Sequence, residues 1–172
     1  MQKIGTLTAF CMAETGLAIM MWTAAFATRG WVTGYLITQD ISAGLFTAES
    51  NGIVHDIDTS VNPILTTIVL ETIGGFFAVV SAGLLAVTVL KPNKLTSLVF
   101  MITTFLSGIF IIAGVSYYNV NLIQDSFLLD AGYSWYLALF SGIFILSTPG
   151  TLGSAIKRGE IPTGTDNVVR LY

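Results

Sequence analysis

Two carboxylates lie where a hydrophobic sequence should carry none. Glu14 and Glu71 interrupt long apolar runs, and an ionisable group inside hydrocarbon is costly enough to be a functional hypothesis by itself. Glu71 falls about 8 residues into its run, roughly 12 Å deep at 1.5 Å per residue, and Glu14 falls nearer mid-run. The pair could line an ion path. The plainer reading is that each is held neutral or hydrogen-bonded to a Ser or Thr of a neighbouring helix. No third acid, Lys or His joins them within the runs, so a proton relay has no further members. A second set of chemistry-bearing residues, His55, Asp56 and Asp58, lies in a polar stretch. Asp56 and Asp58 alternate on an expected strand and so share a face; with His55 they could hold a divalent cation weakly through hard oxygen ligands. The plainer reading there is a solvated acidic strand.

Little else offers chemistry. The chain has one His and one Cys, with no metal-ligand spacing, glycine-rich phosphate loop, nucleophile elbow or basic patch. No enzymatic activity, cofactor, metal or nucleic-acid partner is expected. Cys11 lies inside the first apolar run, so an intrachain disulfide is excluded.

The elements that must position these groups are membrane helices. Of 172 residues, 53% are hydrophobic and 10% charged, with a mean hydropathy of +0.79; soluble domains carry about a quarter charged residues. A hydrocarbon core about 30 Å thick needs roughly 20 apolar residues per helix. Four stretches qualify: 4–28, 63–90, 95–118 and 131–156. The first has the basic flank and Ala25-Phe26-Ala27 triplet of a signal peptide, but it exceeds the usual apolar length of about 7 to 15 residues, so a retained anchor is expected. Lys3, Lys91, Lys94, Lys157, Arg158 and Arg170 fall on one side and Arg29 alone on the other. Both termini are therefore expected in the cytoplasm, leaving Asp40, Glu49, Asp56, Asp58, Asp125 and Asp130 outside.

"KPNK", 91–94, reads as a tight turn, making helices two and three antiparallel neighbours. Gly74, Ala78, Ala82 and Ala86 recur every four residues in helix two, as do Gly5, Ala9 and Ala13 in helix one. Such stripes of small residues are expected to pack inside the bundle, with self-association as the alternative. Pro149-Gly150 predicts a kink or an early end of helix four. Between helices one and two, residues 31–38 alternate as a strand does, and "AGLFTAE" and "IVHDIDT" flank the hairpin signal Asn51-Gly52. Three short antiparallel strands are expected, resting on the bundle because a sheet this small is marginal alone. The second outer loop, 119–130, is expected to add an edge strand or to extend helix three.

Three stretches carry a family resemblance. Trp31 followed by Gly44-Leu45-Phe46 resembles the Trp…Gly-Leu-Trp signature that opens the first extracellular segment of the claudin superfamily. "GVSYYNVNLIQDSF", 114–127, is similar to the claudin passage where helix three runs into the second loop, and "DAGYSWYLALFSGIFIL" resembles the entry into claudin helix four. The resemblance covers most of the chain. It implies a left-handed four-helix bundle, all-α in the membrane, topped by a small extracellular antiparallel sheet with Trp31 and Leu45-Phe46 dipping to the outer leaflet as anchors. It implies one of two roles: cell-cell contact or paracellular selectivity at junctions, or an auxiliary, gamma-like subunit of an ion channel or receptor. Expected partners are membrane lipids, a second copy of the chain, or a larger channel, receptor or junction protein, met through Asp40, Glu49, His55, Asp56 and Asp58. The chain departs from the pattern in lacking the extracellular cysteine pair and the cytoplasmic cysteines, in Phe46 for Trp, in its shorter loop, and in "VVRLY" where claudins end in the Val that PDZ scaffolds bind.

Overall fold

The computed structural model describes residues 5–36, 39–50, 52–60, 62–123 and 129–161. Lys3, Asn51, Asp125, Arg170 and the "VVRLY" ending lie outside the described residues, as does the side chain of Asp40. Four helices are long and apolar enough to cross a membrane: α1 Thr6–Ala27, α2 Asn62–Leu90, α3 Lys94–Tyr118 and α4 Tyr133–Lys157. Hydrocarbon offers no hydrogen-bond partners, so an apolar run must satisfy its backbone internally and coils. The α2–α3 turn is short because Asn93 caps α3, its side chain accepting from the Leu95 N–H at 3.0 Å. Helix α4 runs through Pro149 to Lys157, so the early end expected there is corrected.

α2 packs most extensively on α3, α1 on α4 and α3 on α4, while α1 and α2 share the thinnest seam. Buried positions alternate by three and four residues. In α2 Thr67, Glu71, Gly74, Ala78, Ser81, Leu85 and Thr88 follow this spacing, with Gly75 buried beside them; in α3 Ser97, Phe100, Thr104, Ser107, Ile111, Gly114 and Tyr118 fall on the same repeat. The spacing corrects the expected stripes. Each four-residue step drifts about 40° around a helix, so Gly74 and Ala78 are buried, Ala82 is half-buried and Ala86 is exposed. Ala9 and Ala13 also face outward.

Small and hydroxylic side chains share the interior with Phe100, Ile111, Ile145 and Leu152. Ser107 donates to the Gly74 carbonyl at 2.7 Å, Ser141 to that of Ala18 at 2.8 Å, and Ser81 to Thr103 Oγ1 at 2.9 Å, while Phe10, Phe76, Phe105 and Ile109 are exposed. Lipid removes the hydrophobic drive between helices, so close backbones and interhelical hydrogen bonds hold the bundle instead.

A five-stranded antiparallel sheet caps one end, in the order β4-β3-β2-β1-β5: β1 Val32–Leu36, β2 Gln39–Ala43, β3 Thr47–Ser50, β4 Ile53–Asp56 and β5 Leu129–Ala131. The first loop supplies four strands where three were expected. The strand anticipated across "AGLFTAE" breaks after Ala43, where the Gly44 N–H donates to the Thr47 carbonyl at 2.8 Å. Only glycine fits there, since a Cβ on Gly44 would lie 2.6 Å from the Thr28 carbonyl oxygen. The second loop takes both expected forms: a π-helical turn, Asn119–Ile123, prolongs α3, and β5 joins the sheet beside β1. Ala131 therefore belongs to β5 and α4 begins at Tyr133.

Candidate functional site

The sheet is fastened to the bundle by the residues singled out for their signature. Trp31 and Leu45 are fully buried, so neither reaches lipid as an anchor. They close a core with Ala25, Ile111, Val115, Tyr118 and Ala138 from three helices. The Trp31 ring lies 5.0 Å from that of Tyr118. A helix leaves its last four carbonyls without partners. Trp31 Nε1 donates to the Ala25 carbonyl at 2.7 Å and Thr28 Oγ1 to that of Ala24 at 2.7 Å. The Trp31 backbone binds the Ala43 carbonyl on one side and the Gly132 N–H on the other, each at 3.0 Å, tying β2 and the start of α4 to the end of α1. Phe46 alone of the signature is exposed, its ring edge-on to Phe26 at 5.3 Å.

The acidic surface is dispersed. Glu49 on β3 pairs with Arg29 at 2.6 Å. His55 and Asp56 are exposed on β4, which ends at Asp56, so Asp58 does not share that strand as expected. Asp58 instead forms a turn into α2: its Oδ1 accepts from the Ser60 N–H at 3.0 Å and the Ser60 hydroxyl at 2.5 Å. Among the described residues, no three His, Cys, Asp or Glu side chains converge as ion ligands. The two Ser60 hydrogen bonds, led by the hydroxyl, hold the Asp58 carboxyl below its ordinary value. A lowered folded pKa stabilises the turn above the unfolded value and loses that effect as pH falls through the folded one. The protection factor of the Ser60 amide, its exchange relative to the intrinsic rate at each pH, should therefore be highest at neutral pH and fall in acid below the ordinary carboxylate range; D58A should remove that pH dependence.

The intramembrane acids sit in separate seams. Glu14, 8% exposed, bridges α1 to α4: Ser147 Oγ donates to its Oε1, and Thr151 Oγ1 to its Oε2 at 3.1 Å. These are hydroxyl partners on a neighbouring helix, one helical turn apart. Glu71 is fully buried and takes a different partner, Trp22 Nε1 of α1 at 3.0 Å. Its Oε1 is buried without a hydrogen-bond partner among the described residues and lies over Gly114 of α3, where a Cβ would come within 2.8 Å. Trp22, at the depth of Glu71, is 8 residues and thus about 12 Å along α1 from Glu14. The acids are not brought together. A third, Glu160, caps α1 from beyond α4, accepting from the Thr8 N–H at 3.0 Å.

Sequence reasoning missed Trp22, Ser147, Thr151 and Glu160. The four-residue spacing of Ser147 and Thr151 on one helix face was a usable signal; nothing local pairs Trp22 with Glu71. In comparison with known proteins the chain matches no family model and no curated protein.

Proposed function

We propose that this membrane protein is a claudin-like tetraspan of the plasma membrane that acts in cell-cell contact or paracellular selectivity. Its termini lie in the cytoplasm and its sheet lies outside. The alternating three- and four-residue spacing of buried positions supports a left-handed bundle, because a seven-residue repeat underwinds helices in that sense. One observation carries the functional reading: among the described residues β4 is an edge strand of the sheet paired on one side, all four of its residues are exposed, and Ile53 and Val54 are 60% and 48% exposed. An uncovered edge strand with apolar side chains is a template for another chain. His55 and Asp56 on the same strand, with Asp58 beyond it, would give the contact its acidic character and favour cations in any path beside it.

A second reading, an auxiliary subunit of a channel or receptor, is favoured by one feature. The outward faces of α1 and α4 carry Ala9, Ala13, Gly16, Ser147 and Gly150, all exposed, between larger exposed side chains such as Phe10, Leu17 and Phe144. A foreign helix could approach closely there.

Purification in mild detergent from the native membrane separates the two. Homo-oligomers, with the protein concentrated at contacts between cells, are expected. A stoichiometric channel or receptor would sink the contact reading. The double variant D56N/D58N keeps the acceptor that Ser60 uses and should lower the cation-to-anion permeability ratio of cell layers. An unchanged ratio retires the selectivity claim.

A further inference from the structure

At the sheet end, a cleft of about 420 Å³ is lined by Ala27, Thr28, Arg29, Gly30, Ser42, Glu49 and Tyr133. That volume lies within the range of small-molecule sites. Its depth is fixed by the helices. Ala27 is the last residue of α1 and Tyr133 the first of α4, so the cleft opens where both helices leave hydrocarbon, at the level of lipid headgroups.

The lining is charged in both senses. Among the described residues Arg29 is the one Lys or Arg of this end; Lys91, Lys94, Lys157 and Arg158 lie at the opposite ends of the helices. Its Nη1 reaches Glu49 Oε2 at 2.6 Å, with the two side chains 42% and 40% exposed. A pair this exposed is weak, so both members remain available to a ligand. A simple anion would meet Glu49 and a simple cation would meet Arg29. A molecule carrying both charges a few bonds apart satisfies the two at once. The Arg29 guanidinium offers a planar fork suited to phosphate. Glu49 attracts an ammonium, and the exposed Tyr133 ring, packed over Gly30, adds an aromatic face for a quaternary one. Apolar Ala27 borders the hydrocarbon side.

We propose that this cleft binds a zwitterionic phosphodiester headgroup of the phosphocholine type, phosphate on Arg29 and ammonium between Glu49 and Tyr133. Native mass spectrometry of the full chain in maltoside micelles tests it, with phosphatidylcholine, phosphatidylglycerol and soluble phosphocholine as probes. One phosphatidylcholine should be retained about tenfold more strongly than phosphatidylglycerol. R29Q and E49Q should each lower that retention by about tenfold. The exchange pair R29E/E49R should recover part of it, because both charges stay in the cleft.

Displacement by millimolar phosphocholine would identify the headgroup alone as the ligand; retention despite phosphocholine would identify the intact lipid. Equal retention of phosphatidylglycerol overturns the zwitterion assignment, and that comparison needs no variant to fold. Retention unchanged in R29Q and E49Q, with thermal unfolding unaltered, overturns the site.

Discussion

W31A is expected to destabilise the protein by about 3 to 5 kcal/mol, the range for deleting a large aromatic side chain from a packed interior. Trp31 is fully buried, and its loss would do more than leave a cavity. The Ala25 carbonyl at the end of α1 would lose the indole N–H that satisfies it, and Tyr118 would lose its ring partner. W31F separates these effects. It keeps an aromatic ring but leaves the carbonyl unpaired, at about 1 to 3 kcal/mol. Phe46, 40% exposed at the rim, is the control, and F46A should cost far less than either. The measurement is equilibrium unfolding in mixed micelles, read once by helix content and once by amide protection in the sheet. The order W31A, W31F, F46A should hold in both signals. A W31A loss below about 1 kcal/mol would mean that the sheet is held by its strand pairing and not by its buried Trp.

The four helices were legible because the membrane imposes them. An apolar run of sufficient length has one way to satisfy its backbone, and the expected bounds fall within about two residues of α1 to α4. What packs between the helices was far less legible. Gly74, Ala78, Ala82 and Ala86 form an attractive stripe on paper, yet the seam follows Glu71, Gly74, Ala78, Ser81 and Leu85, because helices that stay in contact are sampled every 3.5 residues and not every 4. In the sheet, the apolar run Gly44-Leu45-Phe46 carries no turn dipeptide to mark a break. The break is set from outside the strand, by the backbone of Thr28 pressing on Gly44 and by the core that takes Leu45. The acids show the same limit. Their positions announce themselves, but the hydroxyls that satisfy Glu14 lie 133 and 137 residues away, and only the bundle brings them near.

E71A should cost about 2 to 4 kcal/mol, from a cavity at a fully buried position and an indole N–H left without an acceptor. The seam it weakens is the thinnest of the four, so the Trp22–Glu71 bond bears directly on whether α1 stays on α2. E71Q keeps an acceptor for Trp22 and should lose about 1 kcal/mol or less. W22F removes the donor while retaining a ring beside Phe26 and over Gly75, where the Trp22 indole leaves no room for a Cβ. If the bond is the tie, E71A and W22F should be non-additive by about 0.5 to 3 kcal/mol, since either change alone already breaks it. Additive losses would show that the ring on Gly75 holds the seam and that the carboxyl is only packed there. Crosslinking between cysteines placed on the lipid-facing edges of α1 and α2 supplies a second readout. It should fall in E71A and W22F and persist in E71Q, because a tie between two helices is broken by losing an acceptor or a donor and not by losing a negative charge.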